Sequence, residues 1–586
     1  MLGCAVPNSD TGVEENRPAS EVEVGWEERS TEGQPGGDSV SGEMGQDLDR
    51  NGHDPLPLEP EIRSRVEAGA QGGALRAGGE GLRSGSTLYR FYRERGYAPA
   101  WLDQGDVSFE ARTLLAQIGG AHADGLDPDD YHRAALDSLI PLVGRGDVPE
   151  DELRQQADIE FLLTDAFMQL GAHLAHGRLN PTTVEPNWSA SRNGVDMGEV
   201  LGDALDGPGV REALDQLRPL SGHYQVMREA LARYRQIADA GGWPELPDGP
   251  TLDPGDRNEQ VAVLRERLAV TGHLPSGQNL AGDPEFYDPV LEEAVQTFQR
   301  IHGLAEDGRV GPATRRALNL SARDRYRQLL VNLERWRWLP QDLGDHYILV
   351  NIPAYQAMVV DGDEEVFRLR TIVGLTYRQT PVFSARMTYL ALAPYWNVPP
   401  GIAARDQFPR LREDPGYVAQ QHMVLFEQGT NRVVDPHSVD WSGMSGAEFN
   451  RRYRLRQEPG PHNALGRVKF MFPNRHNVYL HDTPGQELFD RVTRTFSSGC
   501  IRVERAMELA EHLLRDAPDW TADRIRQVVA QGRERSVTLP DPYMVHIQYW
   551  TAWVEADGEV HFRDDIYERD PRVLAALAAQ PWLEDA

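Results

Sequence analysis

From residue 85 to 245, apolar positions recur at helical spacing. Leu88, Phe91 and Tyr92 fall at i, i+3 and i+4 ahead of Gly96, and Phe161, Leu162, Phe167 and Leu170 belong to a long helix that stops near Gly177, with Pro181 beyond. This predicts a helical scaffold domain over 85–245. A Pro-, Gly- and Asp-rich linker, 244–254, follows it. Over 252–320, Val261, Leu264 and Leu268 make one helix face, and Leu291, Ala294, Val295 and Phe298 make a second. The turn from His302 to Thr314 then leads into a third helix ending near Asn319. A connecting helix is expected over 322–340, its Trp336 and Trp338 packing against a neighbouring domain.

At 346 the period switches to two, with strands expected at 347–352, 357–360, 365–373, 389–393, 395–398, 468–472 and 477–480, and a helix at 504–515. Between them the β pattern lapses over 401–452, a polar and mixed segment. Loops much longer than about fifteen residues are uncommon unless functional or mobile, so this segment is expected to be an insertion, a lid over a site. The reading is a mostly β catalytic domain over 345–536 with an antiparallel sheet. A C-terminal strand (544–554) and tail within 537–586 complete it. The predicted class is multidomain α+β.

Residues 1–80 differ from everything that follows. They hold 14 glycines and 17 acidic against 6 basic residues with little apolar periodicity. Such a composition cannot bury enough surface to offset chain entropy, so a disordered acidic tail, a flexible tether, is expected. The start, Met1-Leu2-Gly3-Cys4-Ala5, lacks the apolar run of a signal peptide, although Leu-Gly-Cys-Ala is similar to the end of a bacterial lipoprotein signal, which makes Cys4 a candidate lipid attachment point. There is no run of eighteen apolar residues, so no transmembrane helix is expected.

Charge narrows the partners. The net charge is −31, against the clustered Lys and Arg that phosphate backbones require, so nucleic acid is not an expected partner. All basic residues but one are arginine; the exception is Lys469. Biased genomic composition, or a saline habitat, accounts for this pattern, though a lone lysine also invites a role.

The candidate chemistry lies in Tyr479-Leu480-His481-Asp482-Thr483-Pro484 and Ser497-Ser498-Gly499-Cys500-Ile501-Arg502. Cys500 is one of two cysteines in the chain and follows a glycine in a small polar turn, with an apolar strand-like run after it. A thiol needs a base to act as a nucleophile near neutral pH, and imidazole is the usual partner. His481 lies nineteen positions upstream, which makes Cys500 and His481 a candidate nucleophile and base at a strand start. A buried structural cysteine and a core histidine are the alternatives for each residue taken singly. His173 and His176 lie three apart on a helix without an evident third ligand. His462, His476 and His481 match no zinc-ligand motif, so no metal or cofactor is expected.

These motifs resemble a known family, the L,D-transpeptidases with a YkuD-type catalytic domain, and within it the large YcbB-like subgroup. The similarity rests on Ser497-Ser498-Gly499-Cys500-Ile501-Arg502-Val503, on Tyr377 through Val382, on Trp396-Asn397-Val398-Pro399, on Lys469-Phe470 and on Tyr479 through Pro484. Ser498 replaces the histidine of the usual Ser-His-Gly-Cys tetrad. The unit over 252–320 resembles a three-helix peptidoglycan-binding module through Ala294, Val295, Phe298, Gln299, Gly303, Leu304, Asp307, Gly308, Gly311 and Thr314.

The resemblance implies attack by Cys500 on a donor tetrapeptide stem with release of D-alanine, His481 as base, and 3→3 cross-linking by an acceptor amine. It also implies that carbapenems acylate this cysteine. The Asp482 carbonyl or carboxylate is the candidate to orient the imidazole, and the backbone N–H groups of Gly499 and Cys500 are candidate oxyanion donors. Arg502 is the candidate for a substrate carboxylate, with a structural ion pair as its alternative. Ser497 and Ser498 either shape the turn or donate to substrate, and Tyr479 and Trp396 are expected to line the pocket. Peptidoglycan stem peptides, wall synthases and amidases are the implied partners, and the periplasm or cell envelope the implied place. An L,D-carboxypeptidase or hydrolase on the same fold is the alternative activity, and a non-catalytic peptidoglycan-binding protein the alternative from another class.

Overall fold

A computed structural model describes residues 58–71, 75–143, 149–185, 188, 194–274, 283–362 and 364–579. Cys4 and most of the expected tail lie outside them. The tail's last part is structured: helix α1, Glu59–Ala70, buries Ile62 and Val66 in the scaffold core with Leu88, Tyr92 and Phe161. The glycine-rich composition of 1–80 hid two apolar residues one helical turn apart, enough to dock a short helix.

The scaffold is helical as expected, and its longest helix is α2, Pro149–His176. Gly177, at φ 81°, ends α2 where a Cβ would strike the side chains of Glu334 and Trp338. The second unit is three helices: α3, Glu259–Val270, α4, Pro289–Ile301, and α5, Pro312–Asn319. Asn258 caps α3 and Asp288 caps α4 through their side-chain oxygens. Buried Gln299 organises the turn into α5, donating to Asp307 Oδ1, the Arg309 carbonyl and Thr314 Oγ1 while accepting the Gly308 N–H.

Helix α6, Ala322–Arg337, is the hub. Trp336 stacks on Trp550 at 4.3 Å and Trp338 meets Trp188 edge-on at 4.8 Å, so the aromatics do pack against neighbouring units. Three buried charges sit between them. Glu334 accepts from Arg337 at 2.5 Å, from the Leu179 N–H and from Trp338 Nε1, while Arg335 pairs with Glu185 and Asp570. Removing one partner of a buried pair strands the other in a low dielectric at a cost of about 3–5 kcal/mol. Glu334→Ala is therefore expected to lower stability by about that much, read as a fall in the urea midpoint followed by tryptophan fluorescence.

The β domain is built on nine strands: β1 His346–Asn351, β2 Gln356–Asp361, β3 Glu364–Gly374, β4 Phe383–Leu392, β8 Val468–Met471, β9 Leu480–His481, β10 Thr495–Ser497, β11 Ile501–Val503 and β12 Arg535–Gln548. β5 Trp396–Asn397, β6 Met423–Glu427 and β7 Tyr453–Gln457 form a separate small sheet. The nine run in the order β10-β3-β11-β9-β8-β4-β12-β1-β2, and β2 pairs back onto β3, so the pairing closes on itself. Every strand between β3 and β2 thereby gains two neighbours, which removes open edges. The sheet is mixed rather than antiparallel: β9–β11, β12–β1 and β10–β3 are parallel. Alternation along a strand reports which face is buried and says nothing of its neighbour's direction, which explains the mistaken expectation.

β12 begins at Arg535 and pairs with β4 throughout, so the boundary expected at 537 cuts through one strand. Its register slips between Thr538 and Tyr543, where Pro540 and Pro542 have no N–H to give to the ladder. Between β4 and β8, residues 396–457 make a subdomain instead of a patternless lid. It pairs β6 with β7 and β7 with β5 around its own core of Phe408, Leu411, Trp441, Phe449 and Leu455. Its longer helical run, 400–413, is broken by the π-helical turn Ala403–Gln407, and its other helices are at most seven residues long, so no period stands out.

The three-helix unit is docked against the C-terminal hairpin (Ala552–Val554 with Val560–Phe562) by a bidentate Arg300–Glu559 pair and by Arg563 donating to the Ile301 carbonyl. Among the described residues no helix is long and apolar enough to cross a membrane.

Candidate active site

Strand register gathers the candidate residues. Lys469 lies opposite His481, and His481 opposite Arg502; one step away Phe470, Leu480 and Ile501 form the next row. Phe470, Leu480, Ile501 and Val503 are fully buried in the main core. Successive side chains alternate faces, so Lys469, Tyr479, His481, Cys500 and Arg502 share the opposite face. Cys500 sits immediately before β11, where the sequence placed a nucleophile. It is diagonal to His481 on the neighbouring strand, about 7–8 Å between Cα atoms by sheet geometry.

The imidazole is oriented by its own strand end. His481 Nδ1 lies 2.5 Å from the Asp482 carbonyl oxygen. A carbonyl can only accept, so Nδ1 carries the proton and Nε2 keeps the lone pair a base needs. The two alternatives for Asp482 are thus separated. Its carboxylate, 1% exposed, accepts from the Arg467 N–H and Nε at 2.9 and 2.8 Å and holds the strand connection.

Electrostatics keep the pair neutral. Burial, then the cations Arg502 and Lys469, push His481 down to about 3. Burial pushes the Cys500 thiol up, opposed by the Tyr479 N–H and hydroxyl and by Lys469 and Arg502. The thiol's hydrogen-bonding neighbours among the described residues are the Tyr479 N–H and hydroxyl and the Asn477 carbonyl, the last 3.9 Å away. Lys469 Nζ lies 3.9 Å from the Tyr479 ring centroid, a cation–π contact that puts the lone lysine inside the site. Sequence alone left it open to a surface position; its signal was the strand register with His481. Arg502 Nε is buried without a hydrogen-bond partner among the described residues, and Glu487 is a carboxylate whose charge acts on the guanidinium.

The nucleophile turn differs from expectation. Gly499 has φ +115°, which only glycine adopts without strain, but its N–H donates to Ser497 Oγ at 3.1 Å and is not free for an oxyanion. Ser497 in turn donates to the Cys500 carbonyl and is buried, so it builds the turn. Of the two expected oxyanion donors, the Cys500 N–H is the one without a protein acceptor among the described residues. Ser498 accepts from Arg378 at 2.9 Å, an arginine of the Tyr377–Val382 motif to which sequence reasoning gave no role. Trp396 belongs to the subdomain: β5 pairs with β7, and the indole packs on the subdomain core. Among the described residues no group of three or more His, Cys, Asp or Glu side chains is placed to hold a metal ion.

Comparison with known proteins matches these units in order. Residues 86–231 match a scaffold domain, 257–318 a peptidoglycan binding domain, and 345–529 the L,D-transpeptidase catalytic domain, YkuD. A Haemophilus influenzae protein named "Putative L,D-transpeptidase" is 35% identical over 249 residues, 42% of this chain and 49% of that protein. The Streptomyces albus G zinc D-Ala-D-Ala carboxypeptidase is 45% identical over 64 residues, 11% of this chain and 24% of that one. The chain thus spans about half the length, or less, of these curated relatives.

A solved L,D-transpeptidase from Xylanimonas cellulosilytica is 16% identical and aligns over 52% of this chain and all of that one, with a TM-score of 0.17. One from Stackebrandtia nassauensis is 12% identical over 52% of this chain and 96% of that one, with a TM-score of 0.20. These scores are too low to bear on the fold. The assignment stands on the sequence match to each unit: the chain carries an L,D-transpeptidase catalytic domain of the YkuD family together with a scaffold domain and a peptidoglycan-binding domain.

Proposed function

We propose that the protein is an L,D-transpeptidase of the bacterial cell envelope that forms 3→3 cross-links between peptidoglycan stems. The observation that carries this reading is one sheet face holding a thiol, an imidazole with its Nε2 lone pair free of the Asp482 contact, and an arginine whose Nε has no hydrogen-bond partner among the described residues. The peptidoglycan-binding domain supports the substrate class and an extracytoplasmic site of action.

In the acylation step His481 Nε2 takes the thiol proton as Sγ attacks the carbonyl carbon of the third stem residue, a diamino acid. The carbonyl oxygen becomes an oxyanion facing the Cys500 N–H. Collapse breaks the C–N bond to D-alanine, and the imidazolium returns the proton to the leaving amine. The side-chain amine of a second stem then attacks the thioester, loses a proton to His481, and releases the thiol as the new amide forms. Arg502 holds a stem carboxylate through its guanidinium fork.

Because the neighbouring thiol and imidazole are both held neutral, the proton moves during attack instead of beforehand. Incubation of the purified protein with tetrapeptide-rich sacculi tests the reading, with muropeptides separated by mass. New 3→3 dimers with free D-alanine are expected. Trimmed tripeptide monomers without dimers would assign an L,D-carboxypeptidase instead, and unchanged muropeptides would refute both.

A further inference from the structure

The nucleophile turn is held from outside by one loop, residues 375–382 between β3 and β4. The base of this loop is tied into the barrel: Thr380 Oγ1 donates to the Gly499 carbonyl at 3.0 Å and accepts the Gly374 N–H at 2.9 Å. Tyr567 OH donates to the Gly374 carbonyl at 2.6 Å, and the Leu375 N–H donates to the Ser497 carbonyl at 2.9 Å.

Its tip carries Arg378, whose guanidinium reaches in two directions. Nη1 donates to Ser498 Oγ at 2.9 Å, two residues before Cys500. Nη1 and Nη2 also donate to Asp406 Oδ2 and Oδ1, at 2.6 and 2.7 Å. Asp406 belongs to the inserted subdomain, on a π-helical turn, Ala403–Gln407, flanked by Ala403 and Phe408 of the subdomain core. Such turns interrupt a helix at a cost and occur often at functional positions. The Arg378 side chain is 15% exposed and that of Asp406 33%. Nη1 and Nη2 are both engaged by Asp406 and Ser498, while Nε is buried without a hydrogen-bond partner among the described residues, so the Nη fork is not available as a substrate clamp while the subdomain is docked.

We infer that Arg378 is a positioning residue: the chain Asp406–Arg378–Ser498 couples the docking of the inserted subdomain to the geometry of the turn that presents Cys500. This rests on Cys500 being the nucleophile, and it gives Ser498, the position where the family's usual histidine is missing, the task of receiving that coupling. A histidine there would set a ring where the Arg378 Nη1 contact now lies. With the carboxylate in place, the turn is braced from the barrel side by Thr380 and from the subdomain side by Arg378. With the subdomain displaced, Arg378 loses its bidentate partner and the second brace loosens.

The test is charge reversal with rescue. Arg378→Glu and Asp406→Arg are each expected to lower the saturating rate of Cys500 acylation by a carbapenem about tenfold, with half-saturation changed about twofold or less. The double reversal restores an Arg–Glu pair across the same gap, and its glutamate can still accept from the Ser498 hydroxyl, so most of the loss should be recovered. Independent roles for the two side chains predict the opposite, losses that multiply in the double variant, and that result overturns the proposal, as do single variants acylated at the unaltered rate. Ser498→Ala serves where a reversal variant fails to fold. It should slow acylation about threefold and make Arg378→Ala no worse in combination; additive losses overturn the coupling.

If the unaltered protein takes up no carbapenem at Cys500, the transpeptidase reading fails on its own. The coupling is then read from alkylation of Cys500 by iodoacetamide, which requires no enzymatic activity. Equal alkylation rates in the unaltered protein and all the variants overturn it.

Discussion

Cys500→Ala should take up no carbapenem and form no 3→3 dimers. The loss should be on the order of 10⁴-fold or more, the size seen when a nucleophile that acts as a unit with its base is deleted. The reason is that, among the described residues, no hydroxyl beside the thiol is placed to substitute for it. The Ser497 hydroxyl is buried and engaged with the Cys500 carbonyl and the Gly499 N–H, and Ser498 is held by Arg378. Tyr479 is the other hydroxyl beside the thiol, and burial together with the Cys500 sulfur push its ionisation up, so it stays a phenol. Intact mass, followed by mapping of the adduct to the peptide containing Cys500, reads the outcome. An adduct retained on the alanine variant would remove Cys500 from the mechanism. The substitution deletes one sulfur at a partly exposed position, so an unchanged urea midpoint should accompany the loss.

His481→Gln should slow acylation by about 10²- to 10⁴-fold, the usual contribution of a positioned base. Glutamine can keep a donor toward the Asp482 carbonyl, which preserves the strand end, but it cannot take a proton. The pH behaviour carries a sharper signature. With His481 lowered to about 3 and the thiol raised, the resting pair is neutral across pH 5–8. Alkylation of Cys500 should then keep climbing with pH beyond the ordinary thiol range. A preformed thiolate–imidazolium pair would give a plateau in the acid-to-neutral range instead, and finding one would overturn the neutral-pair mechanism.

The same burial has a consequence for stability. The folded imidazole stays neutral below its ordinary value of about 6.5 while the unfolded one gains a proton. The unfolded state therefore binds more protons between about pH 6.5 and 3, and stability falls as pH drops through that window. His481→Gln should flatten that slope, measured from urea midpoints at a series of pH values.

Much of this was legible in the chain before folding. Helical spacing located α2, α4 and α6, and the change of period at 346 marked the start of the β domain. Cys500, His481 and Arg502 could be named from their local motifs, because the chemistry of a strand-start thiol and of a strand-end imidazole is written in a few adjacent residues. The end of α2 at Gly177 was readable for a similar local reason: glycine takes a positive φ without strain and so readily ends a helix.

What sequence left undecided is what depends on which partner each group meets once the chain has folded. Whether Asp482 serves through its carbonyl or its carboxylate turns on Arg467, which captures the carboxylate. Whether Gly499 is an oxyanion donor turns on Ser497, which takes its N–H. The order and direction of the strands, the place of Trp396 in the subdomain, and the placement of Lys469 opposite His481 are set by pairing between segments that have no local signature of one another. Arg378 is the clearest case, an ordinary loop arginine until folding sets Ser498 and Asp406, 120 and 28 residues away, within reach of one guanidinium. Residue types and their spacing determine which chemistry is available. Only the closure of the barrel and the docking of the subdomain decide which of those groups face one another, because hydrogen bonds and ion pairs act over a few ångströms of space, whatever the separation along the chain.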